Sequence, residues 1–152
     1  AICVRNIFGQ IDDKTRLLQQ VDRALRPGGS VLISDFTIRE NGLSSAALKA
    51  FSAAEDNAPK LCTLEDLQRG CEDLKLDLRV AEDMTPEFRN LVVKGWANLA
   101  EMLQGKSVEP GEAAALAKEI KLWQIRLAAL DSGDLRVCRI FGLKKSGTWQ
   151  GS

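Results

Sequence analysis

The chain has 152 residues, 45% hydrophobic and 28% charged, which is enough for one globular domain with its own core. Its 21 basic residues are balanced by 21 acidic ones, and this balance argues against a nucleic-acid partner. The longest apolar runs are too short for a membrane span, and the first ten residues lack a signal-peptide pattern. We therefore expect a cytoplasmic protein that does not associate with membranes.

The residue types that are missing or isolated limit the chemistry. The chain contains no histidine, so the commonest general base and every Ser–His or Cys–His pair are excluded. The four cysteines, at 3, 62, 71 and 138, form no C-x-x-C pair. Their spacing argues against a zinc site and favours reduced thiols, mostly buried. We expect no metal.

The N-terminal part predicts a strand, a helix and a second strand. The apolar run "ICVRNIF" predicts a strand over 2–8. Asp12 or Asp13 can cap the helix that follows, and the Pro-Gly-Gly sequence at 27–29 ends it. The next run, "SVLISDF" at 30–36, is apolar enough for a strand buried on both faces. This order predicts a right-handed parallel βαβ unit.

Two helices and a strand are predicted in the middle of the chain. "SSAALKAFSAAEDN" at 44–57 predicts a weakly amphipathic helix. "TLEDLQRGCEDL" predicts a second helix, in which Thr63 and Asp66 have the spacing of a capping box. "KLDLRVAEDM" at 75–84 alternates apolar and polar residues and predicts a strand.

The C-terminal part predicts two more helices and a last strand. Thr85 is expected to cap the first helix, with Pro86 at its first helical position. The second helix is predicted over 112–130, because apolar residues recur there at intervals of four, three, four and three. "LRVCRIFGLKK" at 135–145 predicts the last strand, and the tail at 146–152 has no predicted structure.

The best motif is Arg26-Pro27-Gly28-Gly29 before an apolar strand that ends at Asp35. With "AICVRNIFGQIDD" before it and "GDLRVCRIFGLKK" after it, the motif resembles the C-terminal half of a class I (Rossmann-like) S-adenosylmethionine-dependent methyltransferase. The resemblance implies an α/β fold with a partial sheet of about four strands, the last one antiparallel. It also implies a single, incomplete domain over 1–152, with an inserted helical pair at 85–131.

The resemblance places the cofactor only in part. In this family a glycine-rich loop after the first strand, and an acid after the second, hold most of S-adenosylmethionine. This chain has no such loop, and Gly28-Gly29 cannot replace it because the pair precedes a strand. By resemblance, Arg5, Asn6 and Ile7 would contact the cofactor. The alternative is a strand end whose polar residues face solvent.

The substrate-binding candidates lie near the second strand and on the inserted helices. Asp35 and Phe36 end that strand at its carboxyl end, where open α/β sheets bind ligands. Asp35 could bind a substrate amine or act as a base, and a capping or turn-forming role is equally supported. Trp96 and Trp123 could line a pocket, although core packing is favoured for both. No catalytic residue is assigned.

The predicted function is methyl transfer from S-adenosylmethionine to a small molecule, by a C-terminal portion without the glycine-rich loop. The alternative is a non-catalytic, truncated domain that acts in dimerisation or ligand binding. The chain could be a fragment, a truncated gene product or an independent domain. Without the preceding strands, the first strand becomes an edge and one sheet face is bare. We therefore predict a homodimer or a swapped assembly that buries Ile2, Val4 and the inner strand faces.

Overall fold

The computed structural model describes residues 1–39, 45–55 and 57–146, so the predicted tail from 147 onward and positions 44 and 56 of a predicted helix lie outside the described residues. The elements in chain order are β1 (Ile2–Arg5), a 3₁₀ turn (Phe8–Gln10), α1 (Lys14–Ala24), β2 (Ser30–Ile38), α2 (Ala46–Ala54), α3 (Leu64–Asp73), β3 (Leu76–Asp83), α4 (Thr85–Leu103), α5 (Pro110–Asp131) and β4 (Leu135–Lys144). The predicted α/β class is confirmed.

The four strands form one sheet in the order β1-β2-β4-β3. β1 runs parallel to β2, whereas β4 lies antiparallel to both β2 and β3. The predicted partial sheet with an antiparallel last strand is therefore confirmed. β1 ends at Arg5, earlier than the predicted residue 8, because Asn6 adopts a positive φ of 52° and the 3₁₀ turn follows.

Local capping explains where the helices begin. The Asp13 carboxylate accepts from the Arg16 N–H at 2.8 Å at the start of α1. At the start of α3, Thr63 and Asp66 form the predicted capping box, at 3.0 and 3.2 Å. The prediction for α4 is wrong by one residue, since Thr85 is helical and Met84 is the N-cap.

Thr85 joins helix α4 to the sheet instead of capping it. Its hydroxyl donates to the Asp83 carboxylate at the end of β3 and accepts from the Val137 N–H of β4 at 2.9 Å. Both contacts use a hydroxyl that a capping role would have turned toward the backbone of the first turn. The N-terminal end of α4 is thereby fixed to β3 and β4.

A β-bulge changes the faces that β3 presents. The predicted alternation placed Leu76, Leu78 and Val80 on one face, but the register shifts between Leu78 and Val80. Leu78 lies opposite Gly142, whereas Val80 lies opposite Phe141. Because Phe141 and Gly142 are adjacent in β4, they belong to opposite faces of the sheet. Val80 therefore leaves the face that Leu78 helps to bury.

Two clusters of buried side chains lie on opposite faces of the sheet. Helices α1 and α3 cover the first face, and α2 and α5 cover the carboxyl end of β2 on the second face. The first cluster comprises Val4, Phe8, Leu18, Val21, Leu25, Val31, Ile33, Leu67, Cys71, Leu76, Cys138 and Ile140. The second comprises Leu48, Phe51, Ala129, Leu130, Leu135 and Val137.

The second face is covered at one end only. At the other end Leu32 of β2 is 37% exposed, and its cross-strand neighbours are the exposed Cys3 and the half-buried Phe141. The predicted bare face is thus reduced to a patch around Leu32. Val4 does not contribute to it, because only 8% of Val4 is exposed and it packs in the first cluster.

Helices α4 and α5 form the predicted pair between β3 and β4. They pack on the sheet mainly at the N-terminal end of α4 and the C-terminal end of α5. None of the residues of α4, all of which the structure describes, is buried, and Leu91 and Met102 are 66% and 63% exposed. In α5 burial is restricted to Ala129 and Leu130 at the C-terminal end. In the described part of the chain, no helix has the length and apolar character that a membrane span requires.

Candidate functional site

A cavity of about 380 Å³ opens at the carboxyl ends of β1 and β2, within the size range of small-molecule sites. The loop after β1, the end of β2, helix α2, the segment before α3 and the helical pair all contribute to it. Its lining residues are Asn6, Gly9, Gln10, Asp35, Phe36, Phe51, Glu55, Asn57, Pro59, Leu61, Phe88, Trp123 and Arg126. Three of the predicted substrate residues and one predicted cofactor residue meet here.

Asp35 fastens the loop after β1 to β2, which continues to Ile38, beyond the predicted end at Asp35 and Phe36. One carboxylate oxygen accepts from the N–H groups of Ile7 at 2.6 Å and Phe8 at 3.0 Å. The other accepts from the N–H of Phe36 at 2.9 Å. Asp35 is 2% exposed, so these donors largely replace water around the carboxylate. The geometry assigns Asp35 a positioning role, and its acceptor capacity is mostly used within the chain.

Burial and hydrogen bonding act on the Asp35 carboxyl in opposite directions. Desolvation raises its pKa above the ordinary value, while the N–H donors of Phe8, Ile7 and Phe36 lower it. Burial is the larger cause, so the net direction is upward. The positioning role therefore rests on the geometry: both carboxylate oxygens already accept backbone N–H groups, which suits Asp35 to fixing the loop.

The loop that Asp35 holds contains two of the three predicted cofactor residues, Asn6 and Ile7, and follows directly on the third, Arg5. Asn6 lines the cavity and has the left-handed φ of 52° that asparagine tolerates better than most residues. Ile7 is 37% exposed, so it presents an apolar side chain to solvent beside the polar Asn6. Arg5 is exposed at the end of β1 and lies outside the lining.

Aromatic side chains form one wall of the cavity. The Phe36 ring makes edge contacts with Phe51 and Phe88, each with ring centres 5.8 Å apart. Phe88 in turn lies 6.3 Å from Trp123. The structure thus brings Phe36 and Trp123 into one site, whereas Trp96, half-buried on α4, lies apart from the described lining.

An ion pair lines the cavity next to this wall. Arg126 of α5 donates through Nε and Nη2 to both carboxylate oxygens of Glu55, at 2.8 and 3.0 Å. The side chains are only 18% and 22% exposed, respectively. The Arg126 guanidinium carbon also lies 4.8 Å from the centre of the Trp123 ring. A bidentate pair stacked on an aromatic ring fixes α5 against α2.

Neither Glu55 nor Arg126 is among the site residues that the sequence predicts. The available signal was weak: Trp123 and Arg126 are three residues apart on a helix and so share a face. Their acidic partner is 71 positions away from Arg126, and no local pattern connects them. Only the packing of α2 against α5 brings the pair together.

The cysteines lie outside the cavity lining. Cys71 and Cys138 are buried, and burial raises their pKa values to about 11 and about 12. Burial also raises the pKa of the half-buried Cys62 to about 11, while Cys3 is exposed. Across residues 1–39, 45–55 and 57–146, no group of three or more Cys, Asp and Glu side chains is placed to hold a metal ion.

Solved structures resemble this chain, although no protein-family model and no curated protein matches its sequence. Phosphoethanolamine N-methyltransferase 2 from Haemonchus contortus, solved with S-adenosyl-L-methionine, superposes with a TM-score of 0.76 at 20% identity, over 95% of this chain and 33% of that one. Geranyl diphosphate C-methyltransferase from Streptomyces coelicolor A3(2) gives 0.63 at 14% identity, over 93% and 45%. The [4+2]-cyclase SpnF gives 0.60 at 15% identity, over 95% and 50%.

These similarities show the fold. The chain spans between a third and a half of the length of these solved structures. The cyclase among them shows that one such fold supports more than one kind of reaction, so the reaction has to be argued from the site.

Proposed function

We propose that this chain is the acceptor-binding portion of an S-adenosylmethionine-dependent methyltransferase that acts on a small molecule. The observation that supports the proposal most strongly is the 380 Å³ cavity at the carboxyl ends of β1 and β2, beside a loop fastened by Asp35. Solved methyltransferases of the same fold, including one with bound S-adenosyl-L-methionine, add support by resemblance. The glycine-rich half of the cofactor site would come from sequence outside this chain.

The segment at 5–8, which comprises the end of β1 and the loop after it, would contact one side of such a cofactor. Asn6 offers an amide in the cavity lining, the neighbouring Ile7 has an exposed apolar side chain, and the Asp35 carboxylate holds the Ile7 and Phe8 backbone in place. When bound, S-adenosylmethionine supplies a methyl group on a positively charged sulfur. The role of the loop is to orient that ligand, since a displaced methyl group slows the transfer steeply.

The cavity would hold the acceptor and exclude water. Phe36, Phe88 and Trp123 supply an apolar wall, and the Glu55–Arg126 pair closes the space between α2 and α5. Methyl transfer from a sulfonium depends chiefly on alignment, because the cofactor provides the reactive group. A chain without histidine, and with Asp35 engaged by three backbone donors, is compatible with that chemistry.

Titration calorimetry with S-adenosylhomocysteine tests the cofactor part of the proposal. Heat from a single site is expected for a protein that contains the complete site, and a weak response for this chain alone. The coding DNA upstream of Ala1 provides an independent test, because the proposal expects a strand followed by a Gly-x-Gly loop there. Upstream DNA without such a loop, together with no response to the ligand, would rule out the methyltransferase assignment.

The second candidate is a non-catalytic domain that assembles through the uncovered patch around Leu32. The parallel edge of β1 offers unpaired backbone groups, and Leu32, Cys3 and Phe141 form an apolar surface beside it. A homodimer through this surface would cover the edge of β1 and the apolar surface around Leu32. The cytoplasm is the proposed compartment, in keeping with four cysteines that form no disulfide.

Sedimentation equilibrium of the chain and of Leu32→Lys tests the dimer. The parent chain is expected to dimerise, and a charge at the centre of the patch should produce monomers. The matched control is Leu91→Lys, since Leu91 is 66% exposed on α4, which does not contribute to the patch. Monomers at every concentration, or dissociation by Leu91→Lys alone, would contradict this interface.

A further inference from the structure

We propose that the cavity recognises the ammonium group of a small organic cation, held between the Trp123 ring and the Glu55 carboxylate. This inference rests on the proposed function, since it names the class of molecule that the acceptor cavity takes. Recognition of the ammonium group does not depend on which atom of the molecule receives a methyl group.

The cavity already holds one organic cation, which belongs to the chain itself. The Arg126 guanidinium stacks on Trp123 at 4.8 Å and pairs with both oxygens of Glu55. An aromatic face and a carboxylate that together bind a guanidinium also suit an ammonium group, because both cations are attracted by the ring quadrupole and by negative charge. The positions for the two contacts are therefore present before any ligand arrives.

The charges on the lining favour a cation. Of the lining residues that the structure describes, three carry a formal charge: Asp35, Glu55 and Arg126. The sum is one negative charge, and an added ammonium would neutralise it. Asp35 accepts three backbone N–H groups, which leaves Glu55 as the carboxylate that can exchange its partner.

The aromatic wall fits the apolar part of such a molecule. Phe36 and Phe88 stand edge to face, and Phe88 continues the wall to Trp123. Methyl or methylene groups around an ammonium would pack on these rings while its charge faces Glu55. Entry of the ligand would move Arg126 away from Glu55, so Arg126 acts as an internal competitor for the ligand.

The test measures choline binding by titration calorimetry, with 3,3-dimethylbutan-1-ol as the neutral molecule of the same shape and inorganic phosphate as an anion. Choline is expected to bind more tightly than the neutral alcohol by on the order of tenfold, the effect of about 1.4 kcal/mol. Equal affinity for the two would show that the cavity recognises shape alone and would overturn the proposal. Binding of phosphate in place of choline would also overturn it.

Two substitutions that break the same ion pair should have opposite effects. Glu55→Gln removes the carboxylate, so choline affinity should fall on the order of tenfold. Arg126→Gln removes the competitor, so choline affinity should rise several-fold. If the pair served only to hold α5 against α2, both substitutions would weaken binding, and that result would contradict the proposal. If the cavity instead binds phosphate through Arg126, then Arg126→Gln would abolish phosphate binding.

The control substitution is Arg89→Gln, which breaks the bidentate Arg89–Asp131 pair between α4 and α5, outside the cavity lining. It should leave choline affinity unchanged. Trp123→Leu retains an apolar side chain and should lower the affinity for choline while changing that for the neutral alcohol little. These titrations need no S-adenosylhomocysteine, so failure of the cation proposal is distinguishable from failure of cofactor binding.

Discussion

Replacing Asp35 by alanine should reduce the unfolding free energy and loosen the loop after β1. The substitution leaves three backbone N–H groups without their acceptor, those of Ile7, Phe8 and Phe36. A buried donor left unpaired costs about 1–3 kcal/mol, and water can replace the carboxylate most easily at Ile7, which is 37% exposed. Removing the desolvated carboxylate offsets part of this loss. We expect a net loss of about 3 kcal/mol.

Urea denaturation measures the loss, and amide hydrogen exchange locates it. The Phe8 amide should exchange faster in the variant, because its hydrogen bond is fully buried in the parent chain. Asp35→Asn keeps one oxygen that can accept from Ile7 and Phe8, so its loss should be about half as large. The control is Asp77→Ala, whose exposed pair with Arg79 should contribute less than about 1 kcal/mol. Equal effects of Asp35→Ala and Asp77→Ala would refute the positioning role.

The pH dependence of stability tests the balance between burial and hydrogen bonding at Asp35. Burial raises the pKa of the Asp35 carboxyl, so the folded chain binds this proton more tightly than the unfolded chain. The stability that Asp35 contributes is then fully present below the unfolded pKa of about 3.9 and is lost as the pH rises through the folded value. The unfolding free energy of the parent chain, relative to Asp35→Asn, should therefore decrease over this window. An increase would mean that the three N–H donors outweigh burial.

Two further predictions concern the turn before β2 and the thiols. Gly28→Ala should destabilise the chain by about 1 kcal/mol, because Gly28 has a φ of +73°. Gly95→Ala should be neutral or stabilising, because nothing lies within 4 Å of the added Cβ in the middle of α4. Thermal denaturation compares the two variants, and equal effects would contradict the argument. Under native conditions only Cys3 should react quickly with an aromatic disulfide reagent, because it is exposed, while burial raises the pKa of Cys71 and Cys138. A fast reaction of Cys71 or Cys138 would show that these buried sites open.

Local patterns in the sequence were sufficient for most of the fold. Thr63 and Asp66 predicted a helix start that depends on two neighbouring hydrogen bonds, and the structure forms both. Alternation in β3 predicted the strand but not its faces, because the bulge between Leu78 and Val80 depends on pairing with β4. Thr85 was misassigned as a cap because its hydroxyl contacts β4, more than fifty residues away.

The candidate site was predicted less completely. Asn6, Asp35, Phe36 and Trp123 all line the cavity, because the carboxyl ends of adjacent parallel strands and a helix above them meet at one edge of the sheet. Trp96 has the same residue type as Trp123, and periodicity does not indicate which of two helices turns toward the cavity. The partner of Arg126 follows from the packing of α2 on α5, which depends on side-chain fit over long sequence separations.

The most direct test of the central claim is a titration of the ¹⁵N-labelled chain with S-adenosylhomocysteine, followed through its amide resonances. The claim is that the loop fastened by Asp35 contacts the cofactor. The amides at 5–8 should shift at millimolar ligand, and those of the exposed outer part of α4, near Met102, should remain in place. Asp35→Ala should weaken the response at the same amides. Unchanged resonances at 5–8 under saturating ligand, or shifts confined to other regions, would contradict the account.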